Sequence, residues 1–145
     1  QSATCIRILV KLAPFAERIG GELRESSAGY WVGDQLLQLR EPDVSLISRE
    51  RLDILRTDAF HRGAPDLAVE VLSKDQYGQA YAITKRAEYI AAGSRVVWLV
   101  NSRDKTVREY LAGSDEYRVF SGDAEITLDA IAPGFRCPVS EFFPA

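Results

Sequence analysis

The chain has 145 residues, of which 46% are hydrophobic and 27% are charged, and its net charge is −3. These values fit one folded domain over residues 1–145 with a substantial core, and they exclude a disordered chain. The acidic balance weighs against a protein that holds nucleic acid by charge alone, because counterion release by Lys and Arg supplies most non-specific affinity.

No apolar run approaches the roughly 20 residues of a membrane span, and no secretory leader precedes the first helical pattern. Cys5 and Cys137 lie near opposite ends of the chain without metal-ligand spacing. We therefore expect a protein of the reducing cytoplasm with no membrane partner, and the sequence leaves a disulfide between the two cysteines open. The chain begins with Gln1 and contains no Met, as a sequence that lacks an N-terminal piece would.

The first part of the chain predicts one helix followed by short strands. Residues 4–17 have helical apolar spacing despite Pro14, and Gly20 and Gly21 end the pattern. The apolar positions of this helix are Ile6, Val10, Leu12 and Phe15. Short strands separated by polar turns follow, at residues 22–25, 29–33, 35–40 and 43–47. The polar stretch 48–62 predicts a short helix and a surface loop.

The second part of the chain predicts a strand, a long helix and a second strand. Residues 67–72 form a compact apolar run, which is typical of a central strand covered on both faces. Residues 77–92 carry the longest helical pattern, Gly93 ends it, and 96–100 form the most hydrophobic strand. This order predicts a right-handed crossover between parallel neighbours. Two more strands and a proline-containing tail follow, at residues 106–111, 117–120 and 133–138. We therefore predict an α/β fold with flanking helices, whose sheet is mixed rather than doubly wound.

Glu70 is the first candidate functional residue. It shares a strand face with Ala68 and Leu72 in the part of the sheet expected to be best buried, where a glutamate is costly unless it is paired or binds a metal. A buried ion pair with an arginine and a metal-binding role both satisfy this requirement. The position of Glu70 alone leaves both open.

Asp43 follows Pro42 at the start of a strand, and turn chemistry alone explains a Pro-Asp pair. It gains interest from Glu70, because two carboxylates at strand positions of one sheet can converge on a hard divalent cation. Mg²⁺ is typically held by one or two carboxylates, with water and substrate phosphate completing the octahedron.

Lys85 lies in the predicted crossover helix, on a stripe of tyrosines spaced four residues apart. Those tyrosines are Tyr77, Tyr81 and Tyr89. A separate apolar stripe is predicted to face the core, and it consists of Ala80, Ile83, Ala87 and Ile90. Because Lys85 lies nearly opposite that stripe, a solvated lysine is its simpler interpretation. A functional Lys85 requires the tyrosine stripe to face the sheet near Glu70.

The sequence does not support other kinds of catalytic site. His61 is the only histidine in the sequence, so a multi-histidine metal site is impossible. No Gly-x-Ser-x-Gly elbow, phosphate-binding P-loop or Gly-x-Gly-x-x-Gly fingerprint is present. Trp98 and the tyrosines are more simply packing residues than base-stacking platforms.

Four segments of the sequence together carry a family resemblance. They are Glu41-Pro42-Asp43-Val44, residues 64–73, Lys85-Arg86-Ala87-Glu88-Tyr89 and residues 93–100. With the ending at 132–142, they resemble the bacterial restriction endonuclease family often called Uma-two, within the PD-(D/E)xK nuclease superfamily. The resemblance covers most of the chain from Asp43 onward. It implies a restriction-endonuclease-like fold and a metal-dependent endonuclease that hydrolyses DNA.

The resemblance also implies roles for individual residues. Asp43 and Glu70 would bind Mg²⁺ or Mn²⁺ with help from the main-chain carbonyl of Val71. The sequence departs from the superfamily pattern, because Leu72 stands where the lysine of Glu-x-Lys would be. In this family the lysine has moved to the following helix, which points to Lys85 as the residue that assists the attacking water.

Two hypotheses follow from the sequence. In the first, the protein cuts DNA and, like related nucleases that cut two strands, forms a homodimer. In the second, it is a binding or interaction module whose carboxylates are remnants, as the acidic charge and the missing Glu-x-Lys lysine favour. If Lys85 does not reach the site, Lys74 is the nearest substitute. The sequence does not decide between DNA and RNA.

Overall fold

The computed structural model describes residues 2–33, 38–55, 61–72 and 79–145. Residues 35–37 of one predicted strand, Lys74, and residues 77 and 78 of the predicted crossover helix lie outside these ranges. The helices are α1 (Ala3–Arg18), α2 (Arg49–Leu55), α3 (Gln79–Ala91) and a closing 3-10 helix (Val139–Phe142). The strands are β1 (Glu22–Glu25), β2 (Tyr30–Val32), β3 (Gln38–Arg40), β4 (Val44–Ile47), β5 (His61–Arg62), β6 (Leu67–Leu72), β7 (Val96–Asn101), β8 (Thr106–Leu111), β9 (Tyr117–Ser121), β10 (Glu125–Thr127) and β11 (Arg136–Pro138). No helix in the described ranges is long and apolar enough to cross a membrane.

The main sheet is mixed. Its strands lie in the order β1-β4-β6-β7-β8-β9. Strands β6 and β7 run parallel and are joined by α3, whereas the other neighbouring pairs of this sheet are antiparallel. The predicted mixed α/β fold with a strand-helix-strand crossover is confirmed, and the apolar run 67–72 forms β6 with the predicted bounds.

The central strands are covered on both faces. Strands β6 and β7 are almost wholly buried. One face packs against α1 and the C-terminal segment, and its large members include Leu12, Trp98, Phe135 and Phe142. The other face packs around α3, and its members include Ala68, Val97, Leu99 and Tyr89. Because side chains alternate along a strand, β6 sends Val69 into the first core and turns Glu70 toward α3.

Helix α1 buries a different face from the one that its sequence pattern indicated. The hydroxyl of Ser2 caps the helix by accepting a 3.1 Å hydrogen bond from the N–H of Cys5, which satisfies one free donor of the first turn. The buried face follows four-residue spacing through Ile8, Leu12 and Ala16. Ile6 and Val10 are 49% and 64% exposed, because each lies two residues, or about 200° around the helix, from Ile8.

Two smaller sheets flank the main one. Strand β2 pairs antiparallel with β3 and parallel with β5, and β10 pairs with β11. The sequence predicted strands near β2 and β3 but not their separation from the main sheet, since the choice of partner depends on contacts with distant segments. The β3-β2-β5 sheet matters for the site because it brings Arg40 to α3.

Candidate active site

Asp43 and Glu70 are brought together by the pairing of β4 with β6. The antiparallel register pairs Val44 with Val69. Asp43, one residue before Val44, therefore comes opposite Glu70, one residue after Val69. The N–H of Val71 donates a 2.7 Å hydrogen bond to Oδ2 of Asp43. This bond holds the Asp43 carboxylate beside the strand that carries Glu70.

Glu70 lies beneath α3 with 7% of its surface exposed. The hydroxyl of Tyr89 donates a 2.6 Å hydrogen bond to Oε1 of Glu70, and Nζ of Lys85 lies 3.7 Å from the same oxygen. Neither contact uses Oε2. The buried carboxylate thus has a hydrogen bond and a countercharge, as burial of a charge requires. The countercharge comes from Lys85 and not from an arginine, which the sequence had left open.

Lys85 reaches the site because α3 turns its tyrosine-bearing face toward the sheet. Tyr89 is fully buried, and the Lys85 side chain is 17% exposed. The predicted core-facing stripe is wrong: Ala80, Ile83 and Ala87 are exposed, and Ile90 is half-buried. A buried tyrosine removes about 150–250 Å² from water, more than the alanines of that stripe offer, and Glu70 accepts the hydrogen bond of its hydroxyl. The interpretation of Lys85 as a solvated lysine is therefore wrong as well.

Burial raises the pKa of both carboxyl groups. For Glu70, desolvation is the largest cause and the charge of Asp43 adds to it, while the Tyr89 hydroxyl and Lys85 act to lower the pKa. For Asp43, desolvation again raises the pKa, against the N–H of Val71 and the charge of Lys85. The two desolvated carboxyl groups lie near the charge of Lys85, and Arg40 also acts to lower the pKa of Glu70. A bound cation would stabilise their ionised forms further.

The donor set fits a small divalent cation. Mg²⁺ takes one or two protein carboxylates and completes its shell with water and phosphate, and Mn²⁺ accepts the same oxygen ligands. Asp43 and Glu70 supply the two carboxylates. Within the ranges that the structure describes, no group of three or more His, Cys, Asp and Glu side chains could hold a metal. A metal at this place would therefore rest on the carboxylate pair and on main-chain oxygen such as that of Val71.

An ion pair that sequence reasoning missed holds α3 over the site. Arg40 in β3 donates from Nε at 2.7 Å and from a terminal nitrogen at 2.9 Å to the two carboxylate oxygens of Glu88 in α3. This bidentate pair ties the small sheet to the helix that carries Lys85 and Tyr89. The partners are 48 residues apart, so no local pattern signals them. The position of Tyr89 near the site was predictable, because it follows Lys85 by four residues and therefore shares its helix face.

A cleft of about 480 Å³ opens beside Asp43. It is lined by Ser2, Cys5, Ser26, Asp43, Val71, Leu72 and Ser102. Leu72, at the position of the superfamily lysine, is 7% exposed and packs in the apolar core under α3. The ammonium group near Glu70 therefore comes from Lys85 and not from β6. Lys74, the substitute considered from sequence, lies outside the described residues.

The mixed α/β fold thus brings Asp43, Glu70 and Lys85 together at one place beside the main sheet. Residues 1–140 match the Uma2 (Uma-two) family, described as "Putative restriction endonuclease", and the chain belongs to this family, as its sequence resemblance predicted. Among solved structures, it is similar to the crystal structure of a "putative nuclease belonging to DUF820" from Anabaena variabilis ATCC 29413. The TM-score is 0.79 at 19% identity, over 97% of this chain and 78% of that chain, which shows a shared fold. No curated protein matches the sequence.

Proposed function

We propose that this protein is a metal-dependent endonuclease that hydrolyses phosphodiester bonds of DNA. The observation that carries the proposal is the convergence of Asp43, Glu70 and Lys85, from three separate parts of the chain, at the junction of β4, β6 and α3. Membership of a family described as restriction endonucleases supports it. The distance of 3.7 Å between Nζ of Lys85 and Oε1 of Glu70 supports a role for Lys85 at this site.

In this proposal Asp43 and Glu70 hold Mg²⁺ or Mn²⁺, with the main-chain carbonyl of Val71 as a further oxygen ligand. When bound, such an ion polarises a phosphate oxygen and lowers the pKa of a bound water. The protein's own contribution is orientation. The N–H of Val71 holds Oδ2 of Asp43, and the hydroxyl of Tyr89 holds Oε1 of Glu70. The second oxygen of each carboxylate takes no part in these two bonds. Hydrogen bonds of this kind commonly orient metal ligands.

Lys85 would orient the attacking water and offset negative charge as it develops on the phosphate. An ammonium group only donates hydrogen bonds, so it holds a water by its oxygen and leaves the water protons to be removed. Its side chain is 17% exposed, and charges act more strongly in such a partly buried place than in bulk water. Stabilisation of developing charge by fixed donors is a large part of catalysis in many enzymes.

Cleavage of DNA tests the proposal. Purified protein is incubated with plasmid and linear DNA in the presence of Mg²⁺ or Mn²⁺, beside a known nuclease. We expect metal-dependent cleavage by the wild type and its loss in Asp43→Asn, Glu70→Gln and Lys85→Met. Glu109→Gln should keep full activity, because Glu109 is a buried carboxylate bonded to Trp98 on the other face of the sheet. Intact DNA with the wild type, while the known nuclease cuts, contradicts the proposal.

Leu72 in place of the superfamily lysine favours a second candidate function, a binding or interaction module that keeps the fold without catalysis. Failure of wild-type cleavage would support it.

For the active enzyme we also propose a homodimer, since cutting both strands of a duplex takes two such sites. A monomeric mass in solution would contradict this. We also propose a cytoplasmic location, which the buried free thiols of Cys5 and Cys137 support, since free thiols are usual in a reducing compartment.

A further inference from the structure

Arg86 and Tyr110 bring two buried hydrogen-bond donors together, and the described residues offer neither of them an acceptor. Nε of Arg86 and the hydroxyl of Tyr110 are shielded from solvent, and neither has a hydrogen-bond partner within the described part of the chain. The guanidinium carbon of Arg86 lies 5.1 Å from the centre of the Tyr110 ring. Buried donors without an acceptor are rare and costly in native proteins. Two of them side by side point to a missing acceptor.

These two residues begin a row of rings and guanidinium groups that crosses the sheet. The rings of Tyr110 in β8 and Tyr117 in β9 have centroids 5.2 Å apart. The guanidinium carbon of Arg108 lies 5.3 Å from the centre of the Tyr117 ring. Tyr117 and Val119 are 42% and 59% exposed. The row therefore runs from α3 to an accessible strand at the edge of the sheet.

On β8 and β9, the face that carries this row is basic, although the whole chain is acidic. The residues of β8 and β9 on this face are Thr106, Arg108, Tyr110, Tyr117, Val119 and Ser121. None of these six is a carboxylate. Glu109 turns to the other face, where Trp98 and Arg118 donate hydrogen bonds to it. Among the described residues of β8 and β9, this face therefore carries the charge of Arg108, and Arg86 of α3 lies over the Tyr110 ring beside it.

The row lies next to the candidate active site. Arg86 directly follows Lys85 in α3. The register pairs Glu70 with Leu99 and Leu99 with Arg108, which puts Arg108 two strands away from Glu70 in the same lateral row. At about 4.8 Å between neighbouring strands the separation is about 10 Å. This separation equals the axial rise of about three base pairs of B-DNA, at about 3.4 Å each.

We propose that Arg86, Arg108 and Tyr110 bind the phosphodiester backbone of DNA beside the bond to be cut. The proposal rests on the proposed function, because it supplies the substrate contact of that same site. Guanidinium groups match the geometry of phosphate oxygens, and hydrogen bonds to an anion are stronger than neutral ones. Binding turns the partly buried Arg86 side chain away from the Tyr110 ring and uncovers the hydroxyl. Counterions released by two phosphate contacts help an acidic protein bind DNA.

Binding of a fluorescently labelled DNA duplex without divalent metal tests the proposal separately from cleavage. We expect the variant with both Arg86→Ala and Arg108→Ala to bind about tenfold more weakly, and the slope of log K against log salt to fall by roughly 2. The control for each of the two substitutions made singly is Arg136→Ala, which removes one positive charge from β11, where the Arg136 side chain is 65% exposed. Wild-type affinity in the double variant, or an equal loss in Arg136→Ala, overturns the proposal.

Tyr110→Phe separates binding from packing. Because the hydroxyl has no acceptor among the residues that the structure describes, its removal should leave the melting temperature unchanged or raise it, while DNA binding weakens severalfold. A lower melting temperature with unchanged DNA binding would mean that a buried water satisfies the hydroxyl. That result overturns the role of Tyr110.

Comparison with cleavage distinguishes this proposal from the nuclease proposal. Glu70→Gln should bind the duplex at least as tightly as wild type, because this contact needs no metal. If Arg86 and Arg108 are needed for binding but the wild type never cuts, the nuclease proposal fails and this one stands. If the wild type cuts and the double variant binds and cuts equally well, this one fails. Tighter binding of an RNA duplex of the same length would overturn the assignment to DNA.

Discussion

The hydroxyl of Tyr89 donates its 2.6 Å hydrogen bond to Oε1 of Glu70, the oxygen that also lies 3.7 Å from the ammonium group of Lys85. Both contacts come from one face of α3, from side chains four residues apart. The bidentate pair of Arg40 with Glu88 holds the same helix against the small sheet. Helix α3, and not the strands alone, therefore determines the surroundings of Glu70.

Replacing Glu70 with Gln should leave the metal-free protein as stable as wild type at neutral pH, or more stable. Burial raises the pKa of Glu70, so the folded protein binds this proton more tightly than the unfolded chain does. The stability that the proton contributes is fully present below the unfolded pKa, about 4.3. It is lost as the pH rises through the folded pKa. Denaturant unfolding at about pH 4 and about pH 7 should show this loss in wild type and a smaller one in Glu70→Gln.

The matched control for this comparison is Glu109→Gln. Glu109 is also buried, but it accepts hydrogen bonds from Trp98 and Arg118. Loss of its charge should therefore destabilise the fold by about 1–3 kcal/mol. If Glu70→Gln destabilises the metal-free protein as much as Glu109→Gln does, Glu70 serves the fold and not a cation site.

Tyr89→Phe should weaken Mn²⁺ binding by roughly 10- to 100-fold, the usual effect of removing a hydrogen bond that orients a metal ligand. Tyr30→Phe is the control. Tyr30 is fully buried in the same core, and its hydroxyl lies 2.7 Å from Oγ of Ser45. Both variants should lose about 1 kcal/mol of stability with the hydrogen bond. Calorimetry that gives the two variants equal Mn²⁺ affinity would show that Tyr89 acts only on the fold.

Lys85→Met should lower the rate of DNA cleavage by roughly 100- to 1000-fold, as loss of a group that stabilises developing charge does in other enzymes. Mn²⁺ binding should be unchanged or tighter, because the variant removes a positive charge beside the two carboxylates. Lys11→Met, which alters an exposed pair with Glu141, should change neither property. Unchanged cleavage by Lys85→Met would remove Lys85 from the mechanism.

The Arg40–Glu88 pair should contribute a measurable coupling to stability. The two side chains are 27% and 17% exposed, so the pair is screened less than a fully exposed one. A double-mutant cycle with Arg40→Ala and Glu88→Ala should give a coupling of about 1 kcal/mol, at the upper end of exposed pairs. Additive effects of the two substitutions would show that the pair does not hold α3.

The architecture around β6 and β7 was predictable because its signals are local. A compact apolar run bounded by polar residues marks β6, and Gly93, with a positive φ of 115°, marks the end of the crossover helix. Asp43 and Glu70 stood out as acidic residues at predicted strand positions. Their closeness, however, depends on the register of β4 against β6, which no single segment specifies.

Which face of each helix is buried was less predictable. In α1 the exposed Ile6 and Val10, and in α3 the exposed Ile83, belong to the predicted apolar patterns. A count of apolar residues on a helix does not include the shape and polarity of the surface that it packs against. In α3 a buried tyrosine bonded to Glu70 outweighs a stripe of two alanines and two isoleucines. The Arg40–Glu88 pair joins distant segments and has no local signal at all.

Titration of Mn²⁺ into wild type, Glu70→Gln and Glu109→Gln by calorimetry tests the metal site most directly. Each titration is run with and without a DNA duplex, so that phosphate oxygens are available where the site needs them, and circular dichroism verifies that all three proteins are folded. We predict that wild type and Glu109→Gln bind Mn²⁺ with the same affinity and that Glu70→Gln does not bind it. Absence of binding by wild type, or equal binding by Glu70→Gln, would contradict a metal site at Asp43 and Glu70.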